Sequence, residues 1–174
     1  MRNVVPEGPL LYVDSDVYLD LVTRNEVLNK ATKVARWESA RVVFEAVAAG
    51  HARLAASPLI EAEVMVNGAT LERSKSSKRV AELLATWFAS PRTLWVDIDR
   101  FLVRDAVRLR EEYGKSHVGP KPFKSADALH LAAALRARAH YFMTHDEGFP
   151  IGTVIDGVEV IRPAVVWQET LFLQ

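Results

Sequence analysis

Residues 125–149 read SADALHLAAALRARAHYFMTHDEGF. Ser125 to Ala139 is rich in Ala and Leu, both strong helix formers. Ser125 stands where an N-cap is favoured, and Asp127 falls in the first turn, where its charge suits the helix dipole. Tyr141 to Thr144 follows as a short strand, and Asp146 comes after it by way of His145.

The same pattern extends outward. Leu10 to Val13 is an apolar run that stops at Asp14, as a buried strand does. Val17 to Asn29 is helix-like. Ala35 to Ala49 is a clearer helix with Ala40, Val43, Phe44 and Val47 on one face, ended by Gly50. Ala52 to Ser57 reads as a second strand. Ser57-Pro58 then opens a helix, with Ser as cap and Pro at the first helical position. Asn67-Gly68 is a break. Ser77 to Ala89 is a helix with Val80, Leu83, Leu84 and Trp87 on one face. Thr93 to Val96 reads as a strand, and Asp99 caps a helix running to about Tyr113. Residues 114–124 (GKSHVGPKPFK) form the longest loop-like stretch. Asp156-Gly157, between apolar runs, signals a type I′ hairpin within 153–161. Strands alternating with helices predict an α/β domain with a mostly parallel sheet of four to five strands. No linker or repeat divides the chain, so 1–174 reads as a single domain.

Composition narrows the chemistry. The 174 residues hold 22 Lys+Arg against 22 Asp+Glu, a formal net charge of +0. A protein that grips nucleic acid by bulk positive charge is excluded; local patches are not. There is no Cys, which removes disulfides, thiol catalysis and Cys-ligated metals. No stretch approaches the ~20 apolar residues of a membrane helix, and the N-terminus does not resemble a signal peptide. The expectation is a soluble, cytoplasmic protein with no membrane contact.

Asp14 and Asp146 follow strands, and Asp127 opens a helix that begins at the same sheet edge. Ligands of parallel α/β sheets bind in the crevice beyond the strand C-termini, so these acids can converge there. Glu63, on the helix opened by Ser57, is the fourth candidate. Glu61 lies about 200° around that helix and cannot face the same site. Singly, each acid has an ordinary role as turn former, dipole partner or surface charge. Asp97 and Asp99 fit such roles. Jointly, four carboxylates need a reason. Two charges ~4 Å apart repel by about 1 kcal/mol in water and roughly 4 at an effective dielectric of 20. Oxygen ligands of this kind suit Mg²⁺ or Mn²⁺. Such an ion activates water against a phosphodiester.

YVDSDVYLDLV (12–22), SPLIEAEV (57–64) and SADALHLAAALRARAHYFMTHDEGF (125–149) resemble, in order, the sequence blocks of PIN-domain ribonucleases, and among these the VapC-like toxins of toxin–antitoxin pairs. The register of the second block selects Glu63. The resemblance implies a Rossmann-like three-layer α/β/α domain, with core blocks over 10–149 and a hairpin and tail over 150–174. It implies an endoribonuclease dependent on Mg²⁺ or Mn²⁺, with Asp14, Glu63, Asp127 and Asp146 as metal-holding catalytic residues. It also implies dimerisation and inhibition by an antitoxin. Ser15 and Thr144 are candidate supporting hydroxyls. Asp16 stands where many members carry Asn or Ser, and adds a charge at the pocket rim. The chain is longer than compact toxins, through the helices between the first two blocks and the 114–124 loop.

Basic residues cluster at Arg73, Lys75, Lys78 and Arg79, and again at Lys115, Lys121 and Lys124. Lys121 and Lys124 are the better RNA contacts, because their loop leads into the helix of Asp127. The five His are scattered, and His145 reads as a neutral surface residue. The four Trp read as core, with Trp167 a possible interface. Two other readings compete. Asp14-Ser15-Asp16 also resembles the nucleophile and acid pair of haloacid-dehalogenase-like phosphatases, although HDEGF (145–149) matches their later acidic segment poorly. A PIN-like domain that binds RNA without cleaving it is the other.

Overall fold

A computed structural model describes residues 8–116 and 120–167. The N-terminal residues 1–7 and the tail 168–174 lie outside this range, as do the side chains of Lys115 and Ser116.

Among the described residues a six-stranded sheet carries seven helices. The strands are β1 (Leu10–Val13), β2 (Arg53–Ala56), β3 (Leu94–Trp95), β4 (Tyr141–Met143), β5 (Val154–Ile155) and β6 (Val158–Ile161). Their order is β3-β2-β1-β4-β6-β5, parallel throughout except for β5 against β6. The sheet exceeds the expected four to five strands because the 153–161 hairpin adds two. Asp156 and Gly157 take φ of 45° and 88°, the double left-handed turn that Asp-Gly favours. The hairpin's second arm then pairs with β4 in parallel.

Every residue of β1 is buried, so both faces of the sheet are covered. The helices are α1 (Ser15–Thr23), α2 (Arg36–Ala48), α3 (Pro58–Met65), α4 (Gly68–Ser76), α5 (Lys78–Phe88), α6 (Arg100–Ser116) and α7 (Ser125–Arg136). Helix α1 packs on α2, α3 and α4, whereas α6 and α7 pack on each other, consistent with a three-layer α/β/α arrangement. No described helix is long and apolar enough to cross a membrane.

Several boundaries differ from the sequence reading. Helix α1 stops at Thr23 because Arg24 turns left-handed at φ 54° and Asn25 bonds back to Asp20. Asn67-Gly68 does not simply break the chain. The Asn67 side chain accepts from the amides of Ala69 and Thr70 and starts α4, a helix that the Asn-Gly pair does not announce. Helix α6 continues to Ser116 and takes the first residues of the expected loop. The N-cap of α7 is Lys124, not Ser125. Ser57 does precede α3, but its hydroxyl turns away to Tyr12 Oη at 2.8 Å. Of the tryptophans, Trp87 and Trp167 are buried, while Trp37 is half-buried and donates to Glu26.

The strand order reverses beside β1: β2 lies on one side of it and β4 on the other. That switch point opens a crevice at the C-terminal ends of β1 and β4. A separate cavity of about 520 Å³ lies between α2 and α5, near the N-terminal end of β2. None of the four candidate acids lines it.

Candidate functional site

Register assembles the site. Val13 pairs with Met143, so Asp14 and Thr144 leave the sheet side by side. Thr144 Oγ1 donates to Asp14 Oδ2 at 2.8 Å and accepts from the Asp146 amide at 2.9 Å. One buried hydroxyl thus ties two of the acids together. Asp14 also caps α1, its Oδ1 accepting from the Ser15 amide at 2.8 Å. Asp127 is the third residue of α7, and its Oδ2 accepts from the Lys124 amide at 2.7 Å. Asp146 Oδ1 accepts from the Gly148 amide at 2.9 Å.

Gly148 explains how the last two acids approach each other. A Cβ there would lie 3.3 Å from both Asp127 Oδ2 and Asp146 Oδ1, and 2.8 Å from the Pro122 carbonyl. Only glycine leaves that space. Glu63 reaches the crevice from α3, with Oε2 2.9 Å from His130 Nε2. The same nitrogen is 3.8 Å from Asp14 Oδ1. Ligand atoms of Asp14, Glu63 and His130 all lie within 4.8 Å of one another.

Crowding shows in the acidities. Burial pushes Asp14 above the usual carboxylate range, and the Glu63 charge adds to this; His130, Thr144 and the Ser15 amide offset only part. Asp16 is raised further, by burial and then by Asp14, Asp20 and Asp146. Asp127 is raised by burial and by Asp146. Glu63 goes the other way. Burial raises it, but the hydrogen bond and charge of His130, with the Ser15 hydroxyl, outweigh that and hold it below the usual carboxylate range. The carboxylates destabilise one another's charged forms, as a set missing its counter-charge does. Asp16 Oδ1 is buried without a partner among the described residues. Carboxylate oxygens crowded in this way, with the orphaned Asp16 oxygen among them and the His130 ring beside them, fit a divalent cation.

The four predicted acids therefore share one sheet edge, and Ser15 and Thr144 touch them. Glu63 rather than Glu61 meets His130. Asp99 accepts from the Leu102 amide at 2.8 Å and pairs with Arg136, a structural role. Lys121 and Lys124 are exposed, and Lys121 Nζ lies 3.8 Å from Asp146 Oδ1. In the other basic cluster Lys78 pairs with Glu82, which neutralises part of it.

Asp16 is half-buried beside Asp14, with Oδ1 buried and Oδ2 accepting from the His145 amide at 3.0 Å. One expectation needs correction. His145 is neutral but not at the surface. Its side chain is buried 3.7 Å from Asp20, and burial, then Arg36 and Arg162, push it down to about 3. His130 is the residue that sequence reasoning missed. The signal was its position three residues after Asp127, on the same helix face.

A Rossmann-like α/β sheet that gathers carboxylates at its switch point defines the class of this protein. The chain belongs to the PIN domain family, whose sequence profile matches residues 11–151. It is similar in fold to VapBC2 from Rickettsia felis bound to a DNA fragment from its promoter, with 14% identity, 88% of this chain and 98% of that chain covered, and a TM-score of 0.54. It is similar to a toxin–antitoxin complex from Klebsiella pneumoniae, with 20% identity, 90% and 99% covered, and a TM-score of 0.52. It is also similar to Mycobacterium tuberculosis VapC20, a Sarcin-Ricin loop cleaving toxin, with 16% identity, 76% and 86% covered, and a TM-score of 0.50. At these identities the likeness is one of fold. No curated protein sequence matches the chain.

Proposed function

We propose that this protein is an endoribonuclease dependent on Mg²⁺ or Mn²⁺ and the toxin of a toxin–antitoxin pair. The observation that carries the reading is the convergence of Asp14, Glu63, Asp127 and Asp146 at the switch point, with Asp14 and Asp127 pushed toward protonation by burial and by neighbouring acids. The whole chain is taken as one nuclease domain acting in the cytoplasm. Two of the structures it resembles in fold are described as toxin with antitoxin or as bound to their promoter, which supports an antitoxin as partner. A homodimer is the proposed assembly.

The four acids would hold the ion, Asp14 and Glu63 through the corner that His130 braces, Asp127 and Asp146 across Gly148. A bound divalent ion would supply an acidified water and neutralise charge on the scissile phosphate. The residues around it prepare the site. Thr144 fixes Asp14 and Asp146 relative to each other. Any carboxylate oxygen not engaged by the ion can accept the proton of the attacking water. Lys121, beside Asp146, and Lys124, at the start of α7, offset the negative field that would otherwise repel RNA.

A phosphatase built on Asp14-Ser15-Asp16 needs both acids at the substrate, and here Asp16 is held against the His145 amide. The deciding experiment is RNA digestion with Mg²⁺, Mn²⁺ or chelator, using wild type and Asp14→Asn. Cleavage is expected with metal only, and the folded variant is expected to lose it. Wild-type turnover by Asp14→Asn would refute the proposal. Hydrolysis of p-nitrophenyl phosphate without RNA cleavage would favour the phosphatase, and RNA binding without cleavage a non-catalytic domain.

A further inference from the structure

Among the described residues His130 is the one buried histidine whose ring nitrogens both have partners. Nε2 lies 2.9 Å from Glu63 Oε2, and Nδ1 lies 3.1 Å from Tyr12 Oη. Tyr12 Oη in turn lies 2.8 Å from Ser57 Oγ. Ser57, Tyr12 and His130 are all buried, so no bulk water completes these bonds.

Proton accounting settles the direction of the bond that matters. An ionised carboxylate only accepts, so the hydrogen between Glu63 and His130 sits on Nε2. A ring nitrogen that carries hydrogen has no lone pair for a metal. In the neutral ring Nδ1 then accepts from Tyr12 Oη, and Tyr12 accepts from Ser57. The donors run one way: Ser57 to Tyr12 to His130 to Glu63. In the doubly protonated ring the Tyr12 and Ser57 bonds reverse, but Nε2 still donates to Glu63. His130 is close enough to Asp14 and Glu63 to look like a third ligand. Both of its ring nitrogens, however, already have protein partners.

We propose that His130 is a positioning residue and not a metal ligand: its Nε2–H holds Glu63 Oε2, leaving Oε1 for the ion, while Tyr12 and Ser57 lock the ring. The inference rests on the metal-dependent reading above. It also explains the buried tyrosine of β1. Tyr12 precedes Asp14 by two residues, so the chain of bonds joins β1, the start of α3 and α7 around one carboxylate. Partners of this kind orient a ligand and raise its affinity; losing one costs about 10–100-fold in metal binding or activity.

The test uses Mn²⁺ as probe on the purified full chain. Pulsed electron paramagnetic resonance of the Mn²⁺-loaded wild type is expected to show no directly coordinated ¹⁴N. Such a coupling would overturn the proposal, and this measurement needs no variant to fold. Mn²⁺ titration is the second readout. His130→Leu is expected to weaken binding by about 10–100-fold. His130→Gln, whose amide N–H can replace the Nε2–H, is expected to recover most of that affinity. Tyr12→Phe removes only the ring's anchor and is expected to cost less than His130→Leu. Unchanged affinity in a folded His130→Leu would overturn the proposal. A wild type that binds no Mn²⁺ would overturn the metal-dependent reading itself, whereas Mn²⁺ binding with ¹⁴N coupling would sink only the role given to His130.

Discussion

Tyr18 shows how far this chain places side chains for packing over polar satisfaction. Its ring sits 4.7 Å from Phe44 and 5.0 Å from Trp87, centroid to centroid, yet its hydroxyl is buried without a partner among the described residues. An unsatisfied buried hydroxyl costs stability, so Tyr18→Phe is expected to stabilise by about 1 kcal/mol. Urea unfolding measures it, and a clear loss of stability would contradict it. His145 carries a pH signature. Its folded pKa of about 3 lies below the ordinary 6.5. Between those values the unfolded chain binds a proton that the folded chain refuses, so this contribution is present above pH 6.5 and is lost as pH falls toward 3. The raised acids Asp14, Asp16 and Asp20 act with opposite sign. The His145 share is therefore read as a difference: stability of wild type is expected to fall more steeply than that of His145→Gln on acidification. Parallel curves would disprove it. At this scale Asp14 and Asp146 were legible in the sequence because strand ends announce themselves, whereas Asp127 was read from a helix start and Glu63 from the resemblance. His130 was passed over because its one mark in the sequence is the three-residue spacing from Asp127 on an Ala/Leu-rich helix, and contact with Glu63 is what gives that spacing meaning.

Elements were legible where local chemistry and burial agree. Asp156-Gly157 named its own turn, and both residues take the left-handed conformation the motif demands. Gly157 at φ 88° has open space where a Cβ would stand, so the penalty of Gly157→Val comes from backbone strain alone. A loss of about 1–2 kcal/mol is expected in chemical denaturation. No loss would mean that the turn relaxes. Helix α4 was hidden for the converse reason. Its residues GATLERSKS include a glycine and three serine or threonine residues, poor intrinsic helix formers. Packing against α1 and α5, with the Asn67 cap, supplies what propensity does not. The same Asn-Gly pair looks like a stop until the cap bonds are seen.

For the whole molecule, net neutrality conceals an acidic crevice that carries an energetic cost. Binding a cation there should stabilise the fold by mass action, about 2.7 kcal/mol at a concentration one hundred times Kd. For a chain of this size that corresponds to a rise in Tm of roughly 5–10 °C. Thermal scans with and without Mn²⁺ are expected to show it in wild type and not in Asp14→Asn. Equal shifts in both proteins would place the ion elsewhere. Sheet direction and the crevice followed from the alternation of strands and helices; the placement of the 153–161 hairpin did not, because nothing in its sequence says which strand it will join.

The two outer strands of the sheet, β3 and β5, have two residues each. Strands that short expose too little unpaired backbone to template another chain. Partners that extend a sheet need a longer open edge. Among the described residues, the surface open to a protein partner is therefore that of helix side chains and crevice walls. The specificity of such a partner would then be written in shape and charge, and a change in a few surface residues could separate one partner from another.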